Sequence, residues 1–354
     1  MSYNVTPGAI RFNTDSMKLE YYRGGPVGFG TRATGEWVQL TTDSPDLMTG
    51  GTRGLRIAGF TAPNGSGGNE GDIDYFNIAT TGNAVKWGDA SGEANQYGGF
   101  SCSDKTRGVF GSGNSASAHS AQVHVKFVTI ASEGTVNDFG DTSVATHVGA
   151  GKGVAGNSTR GIIAGGAGNI IQHITIQTAG VFSDFGDLTI SQGNEKNHAP
   201  MCNSVRCLQA GGFSNPVSTD AISYITTATL GNTAHFGDLT DTRWHVAGCS
   251  NSIKGIIWGG MTASSGATGT NVIQGIELSS LGDAYDWGDM SHSTRSRGAA
   301  ASPTRAVAFG GADPGINIMD YTQFSTKGDS IDFGNLTQIT EAPQSASNGH
   351  GGLG

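Results

Sequence analysis

Thr178–Asp187 reads TAGVFSDFGD, and the same shape recurs along the chain. Written as Ser/Thr-x-Gly, four residues, then Phe/Trp-Gly-Asp/Asn, it occurs six times: Thr80–Asp89, Ser132–Asp141, Thr178–Asp187, Thr229–Asp238, Ser280–Asp289 and Thr326–Asn335. The aromatics Trp87, Phe139, Phe185, Phe236, Trp287 and Phe333 are 52, 46, 51, 51 and 46 residues apart, a mean near 49. Self-similarity at such a period marks a repeat architecture in which no single unit can bury its own apolar face.

Working outward, each unit carries a base followed by a short apolar run: Arg53, Arg107, Arg160, Arg206, Lys254 and Arg305, as in Arg160-GIIAGG and Lys254-GIIWGG. An alternating segment such as Ile174, Ile176 follows, and the period of two reads as a strand. Small residues such as Val246–Ser250 precede the base. Each unit therefore predicts four short antiparallel strands, the last containing the aromatic-Gly-Asp. Packing such sheets radially buries both faces and leaves only short edges, which predicts an all-β propeller.

Dividing 354 residues by about 49 gives 7.2, one unit more than the six full repeats. The ends supply the remainder: Ala9–Asn13, Lys18–Tyr22 and Glu36–Leu40 read as strands, Trp37-VQLT mimics Phe185-GDLT, and Ala342–Asn348 fits the first-strand slot. The expectation is seven four-stranded blades, the closing blade split between N- and C-terminal strands. The competing reading is six blades plus a separate N-terminal β-module. The corresponding segments are residues 1–41, 42–341 (the six repeats) and 342–354 (the closing strand).

Glycine accounts for 58 of 354 residues, about 16 % against a usual share near 7 %. Net charge is −9 with pI near 5.4, which argues against binding nucleic acid by phosphate neutralisation. Neither a signal peptide nor a membrane-spanning stretch is read from the sequence. The Ser/Thr-x-Gly glycine is expected in a hairpin turn and the Gly-Gly pairs where strands bend. The aspartates Asp89, Asp141, Asp187, Asp238 and Asp289 and the basic slot read as scaffold, each aspartate accepting hydrogen bonds within or between blades. Cys102, Cys202 and Cys249 replace small residues ahead of the base and read as buried thiols; Cys207 follows Arg206, and no disulfide is expected. The nine histidines share no slot.

Three enzyme-like strings carry nothing. His147-VGAGKG lacks the Ser or Thr after Lys152 that a P-loop needs. Glu70-Gly-Asp72-Ile-Asp74 lacks calcium-loop spacing, and Ser183-Asp-Phe-Gly is displaced from a sialidase Asp-box. No catalytic, cofactor or metal site is expected. What varies is the loop after the apolar strand, from TAPNGSGGNEGD in the first repeat to AGN in the third. These loops share a face with the blade-to-blade connections and have the adaptable polar composition of binding loops. Asn64, Asn69, Ser115, His119, Ser214, Asn215, Ser264 and Thr268 are the candidate contact residues.

The order of small strand, Arg turn, apolar-Gly-Gly strand, alternating strand and aromatic-terminated strand is similar to kelch repeats. Strings such as ITIQTAGVFSDFGDLT and YITTATLGNTAHFGDLT look like repeats of virion structural proteins of cyanobacterial and other marine phages. Gly8-AIRFNTDSMKLEYY…GEWVQL resembles a short module of phage tail fibres. Together these cover residues 8–340. The chain departs from kelch in carrying Phe for the usual Trp in four of six repeats. The resemblance implies a cofactor-free propeller on a phage particle, in the tail or tail fibre, acting in assembly or host-surface attachment. Its partners would be other virion proteins and a host glycan or protein, with self-association through the N-terminal strands. A capsid decoration protein and a glycan-degrading enzyme whose carboxylates come from different blades are the alternatives.

Overall fold

The computed structural model describes residues 9–13, 18–23, 36–39, 52–61, 71–90, 96–115, 121–132, 134, 136–146, 153–166, 168–189, 198–214, 217–262 and 269–353. The chain divides into two compact units, Met1–Met48 and Thr49–Gly354. In the first, Ile10–Asn13, Lys18–Arg23 and Glu36–Gln39 form an antiparallel three-stranded sheet of their own.

The second unit is a six-bladed β-propeller. From axis to rim, blade one is Gln344–Ser347, Arg53–Ile57, Asp72–Asn77 and Val85–Asp89. Blade two is Phe100–Ser103, Arg107–Gly111, Gln122–Thr129 and Asn137–Thr146. Blade three has Arg160–Ala164, Ile170–Thr175 and Ser183–Asp187, with Gly156 bridging Gly161 on the inner side. Blade four is Ala199–Cys202, Arg206–Ala210, Ala221–Thr226 and Ala234–Asp238. Blade five is Ala247–Ser250, Lys254–Trp258, Thr270–Glu277 and Tyr285–Thr294. Blade six is Gly298–Ala301, Arg305–Phe309, Ile318–Gln323 and Ile331–Asn335.

The expected seventh blade is thereby corrected. Among the described residues the three N-terminal strands pair with one another, and Gln344–Ser347 joins the first repeat, with Ala346 opposite Leu55. Gln344–Ser347, within the span 342–348 read as a first strand, does take an inner-strand place, but in the first repeat's blade and not a seventh. The blade it completes is the one that contains Arg53–Ile57. The likeness of Trp37-VQLT to Phe185-GDLT, three positions of five, does not make Glu36–Gln39 a blade strand.

The core is six apolar layers, one between each pair of neighbouring blades. Trp87 lies between blades one and two with Leu55, Phe110 and Val128. Phe139, Phe185, Phe236, Trp287 and Phe333 occupy the same place in the other five layers. All six rings are nearly fully buried, each contributing about 2–3 kcal/mol of apolar transfer. In every blade the ladder between strands three and four slips by one residue at this aromatic. The aromatic-Gly signature is thus a β-bulge, an inserted residue that re-aims a side chain. Its glycine has a second reason to lack a side chain. A Cβ on Gly140 (φ +137°) would collide with the backbone of Gly180 in the next blade. Gly180 is the Ser/Thr-x-Gly glycine of that repeat, so the two glycines of the motif meet across the interface. Gly180 N–H donates to the Phe139 carbonyl, and Phe182 N–H to the Asp141 carbonyl.

Candidate functional site

A propeller offers two faces, and here they are built differently. One carries the turns from strand one to two and from three to four. In blades two to six the former share a local design that the sequence reading missed. Asn157 Oδ1 accepts the N–H groups of Thr159 and Arg160; Asn203, Asn251 and Asp104 do the same for the two residues ending at their own base, and Ser302 Oγ does so in blade six. These are turns closed by a short polar side chain. The repeated Asn-Ser-x-Arg/Lys strings Asn157-STR, Asn203-SVR and Asn251-SIK were the signal for it.

The base that ends each turn reaches across to the next blade. Arg107 lies over the Phe127 ring, 4.2 Å from its centroid, and donates to the Ile176 carbonyl of blade three. Arg160 lies over Phe185 and donates to Thr227 of blade four. Arg206 lies over Tyr224 and donates to Leu278 and Ser279 of blade five. Arg305 over Tyr321 reaches Ile78, and Arg53 over Tyr75 reaches Ile130 and Ala131. A guanidinium can stack and donate in its plane at once, which an ammonium cannot. At five of its six positions the basic slot ties one blade to the next.

Blade one has no such turn, since its first strand comes from the other end of the chain. Asn348 Oδ1 instead accepts the Arg53 N–H, reproducing the missing contact between residues 295 apart. The chain then crosses the end of the axis as the turn Gly351–Leu353. Ser158 N–H donates to the Gly352 carbonyl, and His350 is buried beneath. His350 Nε2 donates to the Ser103 carbonyl at 2.7 Å while Nδ1 accepts from Gly352 N–H. Only the neutral ring can do both, and burial pulls its pKa down to about 4.

Toward the other face, the one with the strand two-to-three loops and blade connections, five of the six interfaces carry polar devices of differing kinds. Arg56 and Asp74 form a fully buried pair at 2.8 Å, joined by the Thr337 hydroxyl of blade six. Arg297 and Asp320 form another at 2.7 Å, joined by Ser291 of blade five. Burial pulls the Arg297 pKa down against the opposing charge of Asp320. Gln172 accepts from Ser143, Gln274 accepts from the Thr240 N–H, and Thr189 bonds Thr233.

Of the candidate contact residues, Ser115 lies in the short strand Asn114–Ser115, paired with Gln96–Tyr97, and Ser214 in Phe213–Ser214, paired with Val217–Ser218. Asn64, Asn69, His119, Asn215, Ser264 and Thr268 lie outside the described residues. The repeated aspartates sit on the outer strands. The backbone N–H groups of Asp187, Asp238 and Asp289 donate to Asn232, Asp283 and Asp329 of the next blade. The Asp89 carboxylate pairs with Lys86, and Asp141 with His124.

The cysteines need one correction. Cys102 and Cys249 are buried thiols, the latter pushed up to about 12 by burial. Cys202 and Cys207, however, form a disulfide. They are direct cross-strand partners on either side of the Asn203–Arg206 turn, a register not readable until that turn is recognised. Among the described residues no group of three or more His, Cys, Asp or Glu side chains is placed to hold a metal, and no helix is long and apolar enough to cross a membrane. No protein-family model matches the chain, and neither does any curated protein sequence. The class of protein is therefore defined by the fold: a six-bladed β-propeller closed by its C-terminal strand.

Proposed function

We propose that this protein is a structural component of a phage particle, a non-enzymatic protein of the tail or tail fibre. It meets a host-surface molecule or a neighbouring virion protein through the loop face of its ring. The observation that carries this reading is the segregation of variation. The turn face repeats one fixed geometry in blade after blade, while loops of unequal length gather on the opposite face, the arrangement of a rigid scaffold presenting adaptable contacts. The sequence resemblance of residues 8–340 to phage virion repeats and to a tail-fibre module supplies the setting.

Immunogold labelling of virions from the phage that encodes the chain, with antibody against the recombinant protein, tests the proposal. Label at fibre tips or the tail end is expected, and the recombinant protein should then compete with phage adsorption. Hundreds of copies spread over the head would replace this reading with the capsid-decoration one. Absence of the protein from purified virions by mass spectrometry would end both.

A further inference from the structure

Five of the six blade interfaces carry an arginine tether on the turn face; the interface between blades five and six carries Lys254. Its ammonium lies over the Trp287 ring, 5.4 Å from the centroid, and 3.6 Å from Glu277, all within blade five. The acceptors that an arginine would reach are the carbonyls of Phe324 and Ser325. They are the counterparts in blade six of Leu278 and Ser279, which receive Arg206. Among the described residues no donor reaches either carbonyl. In their place is a crevice of about 300 Å³ lined by Asn251, Ile253, Lys254, Pro303, Phe324 and Ser325.

The surroundings have changed with the base. Where Tyr75, Phe127, Tyr224 and Tyr321 supply the ring under the arginine, blade five has Gly275 opposite Ile256. A Cβ there would lie 2.5 Å from the Trp287 ring. The larger Trp287 side chain takes over as the platform and holds the lysine inward. Glu277 offsets the ammonium charge, so a second cation entering the crevice meets two free carbonyl oxygens and apolar walls in a chain of net charge −9.

We propose that this crevice is a binding site for a guanidinium group, the arginine side chain of a partner polypeptide. The other five interfaces display the bound state in miniature: a planar cation donating to the carbonyls that end strand three of the following blade. An arginine head fits these diverging acceptors better than an ammonium, which is more strongly hydrated and costs more to strip of water. Exposed Ile253, 56 % accessible, flanks the entrance and offers apolar surface to the arginine stem.

Titration of the full chain with N-acetyl-arginine amide, followed by calorimetry and by backbone NMR shifts, tests the site, with N-acetyl-lysine amide as the comparison probe. One saturable site is expected, with shifts centred on Lys254, Phe324 and Ser325 and at least tenfold weaker binding of the lysine probe. Lys254→Arg supplies the guanidinium internally and should abolish binding while raising Tm. Arg206→Ala empties the equivalent place between blades four and five and should raise the stoichiometry from one to two. Undiminished binding to Lys254→Arg, equal affinity for both probes, or no saturable binding to the wild-type chain would overturn the proposal.

Discussion

The two halves of each blade interface solve one problem in different ways. On the turn side a single device, an arginine stacked on a ring of its own blade and bonded to the next blade, is used at five interfaces. On the loop side the device changes from interface to interface: two use a buried ion pair, two a glutamine and one paired threonines. The difference teaches where the sequence is free. Near the turns, segments of fixed length hold the geometry constant, so one solution serves five interfaces. Near the loops, insertions of unequal length alter the neighbourhood of each strand end, and each contact is settled locally.

The largest effect is expected from removing residues 342–354, which takes away the inner strand of blade one, the Asn348 contact and the axial turn together. Calorimetry should show the cooperative unfolding transition lost or divided; an unchanged transition would contradict closure through Gln344–Ser347. Next is Asp320→Ala, which strands the buried Arg297 guanidinium without its counter-charge, at a cost of about 3–5 kcal/mol by denaturant unfolding. A value near zero would mean that the private devices of the loop side carry little of the ring's stability.

Acid should act on the turn side through His350. Its pKa is lowered in the folded state, so the unfolded chain takes up the proton first. The contribution of its neutral ring is therefore fully present above about pH 6.5 and falls away as pH drops toward 4, by up to about 3 kcal/mol. His350→Gln should flatten the pH dependence of the unfolding midpoint over that window relative to wild type. Arg206→Ala removes one stacked and twice-bonded tether at a cost of about 2 kcal/mol, whereas Lys254→Ala should cost less than about 1 kcal/mol because it makes no interblade bond. Equal costs would erase the distinction between the tethered and untethered interfaces. The smallest effect belongs to Val217→Ser on the loop face: exposed by 63 %, it should change stability by no more than about 0.5 kcal/mol.

The repeats were legible because the bulged aromatic and its glycine must keep their spacing, and the closing strand was legible because only small residues fit around the axis. The blade number was not. Dividing the length by the period assigns Ala9–Asn13, Lys18–Tyr22 and Glu36–Leu40 to the ring, yet pairing partners are set in space and the strands found there, Ile10–Asn13, Lys18–Arg23 and Glu36–Gln39, pair with one another. The Asn-Ser-x-Arg turn was visible in the letters but passed over, and with it the juxtaposition of Cys202 and Cys207. The buried pairs Arg56–Asp74 and Arg297–Asp320 were beyond reach for a different reason: each depends on one strand register and occurs in no sister blade in the same form. The loop residues proposed as contacts were chosen on composition and length, which mark a face and not an atom.

The contact between Asn348 and the Arg53 amide also has a temporal meaning. Closing a loop of that length costs on the order of 5 kcal/mol in chain entropy, and the inner edge of blade one stays open until Gln344–Ser347 has been synthesised. On the ribosome, blades two to six have all their strands in hand while blade one waits with an open inner edge. Completion of the ring is therefore a late step that waits for Gln344–Ser347. A product cut short by even one strand is left with an unpaired edge, the form in which β-proteins associate with one another.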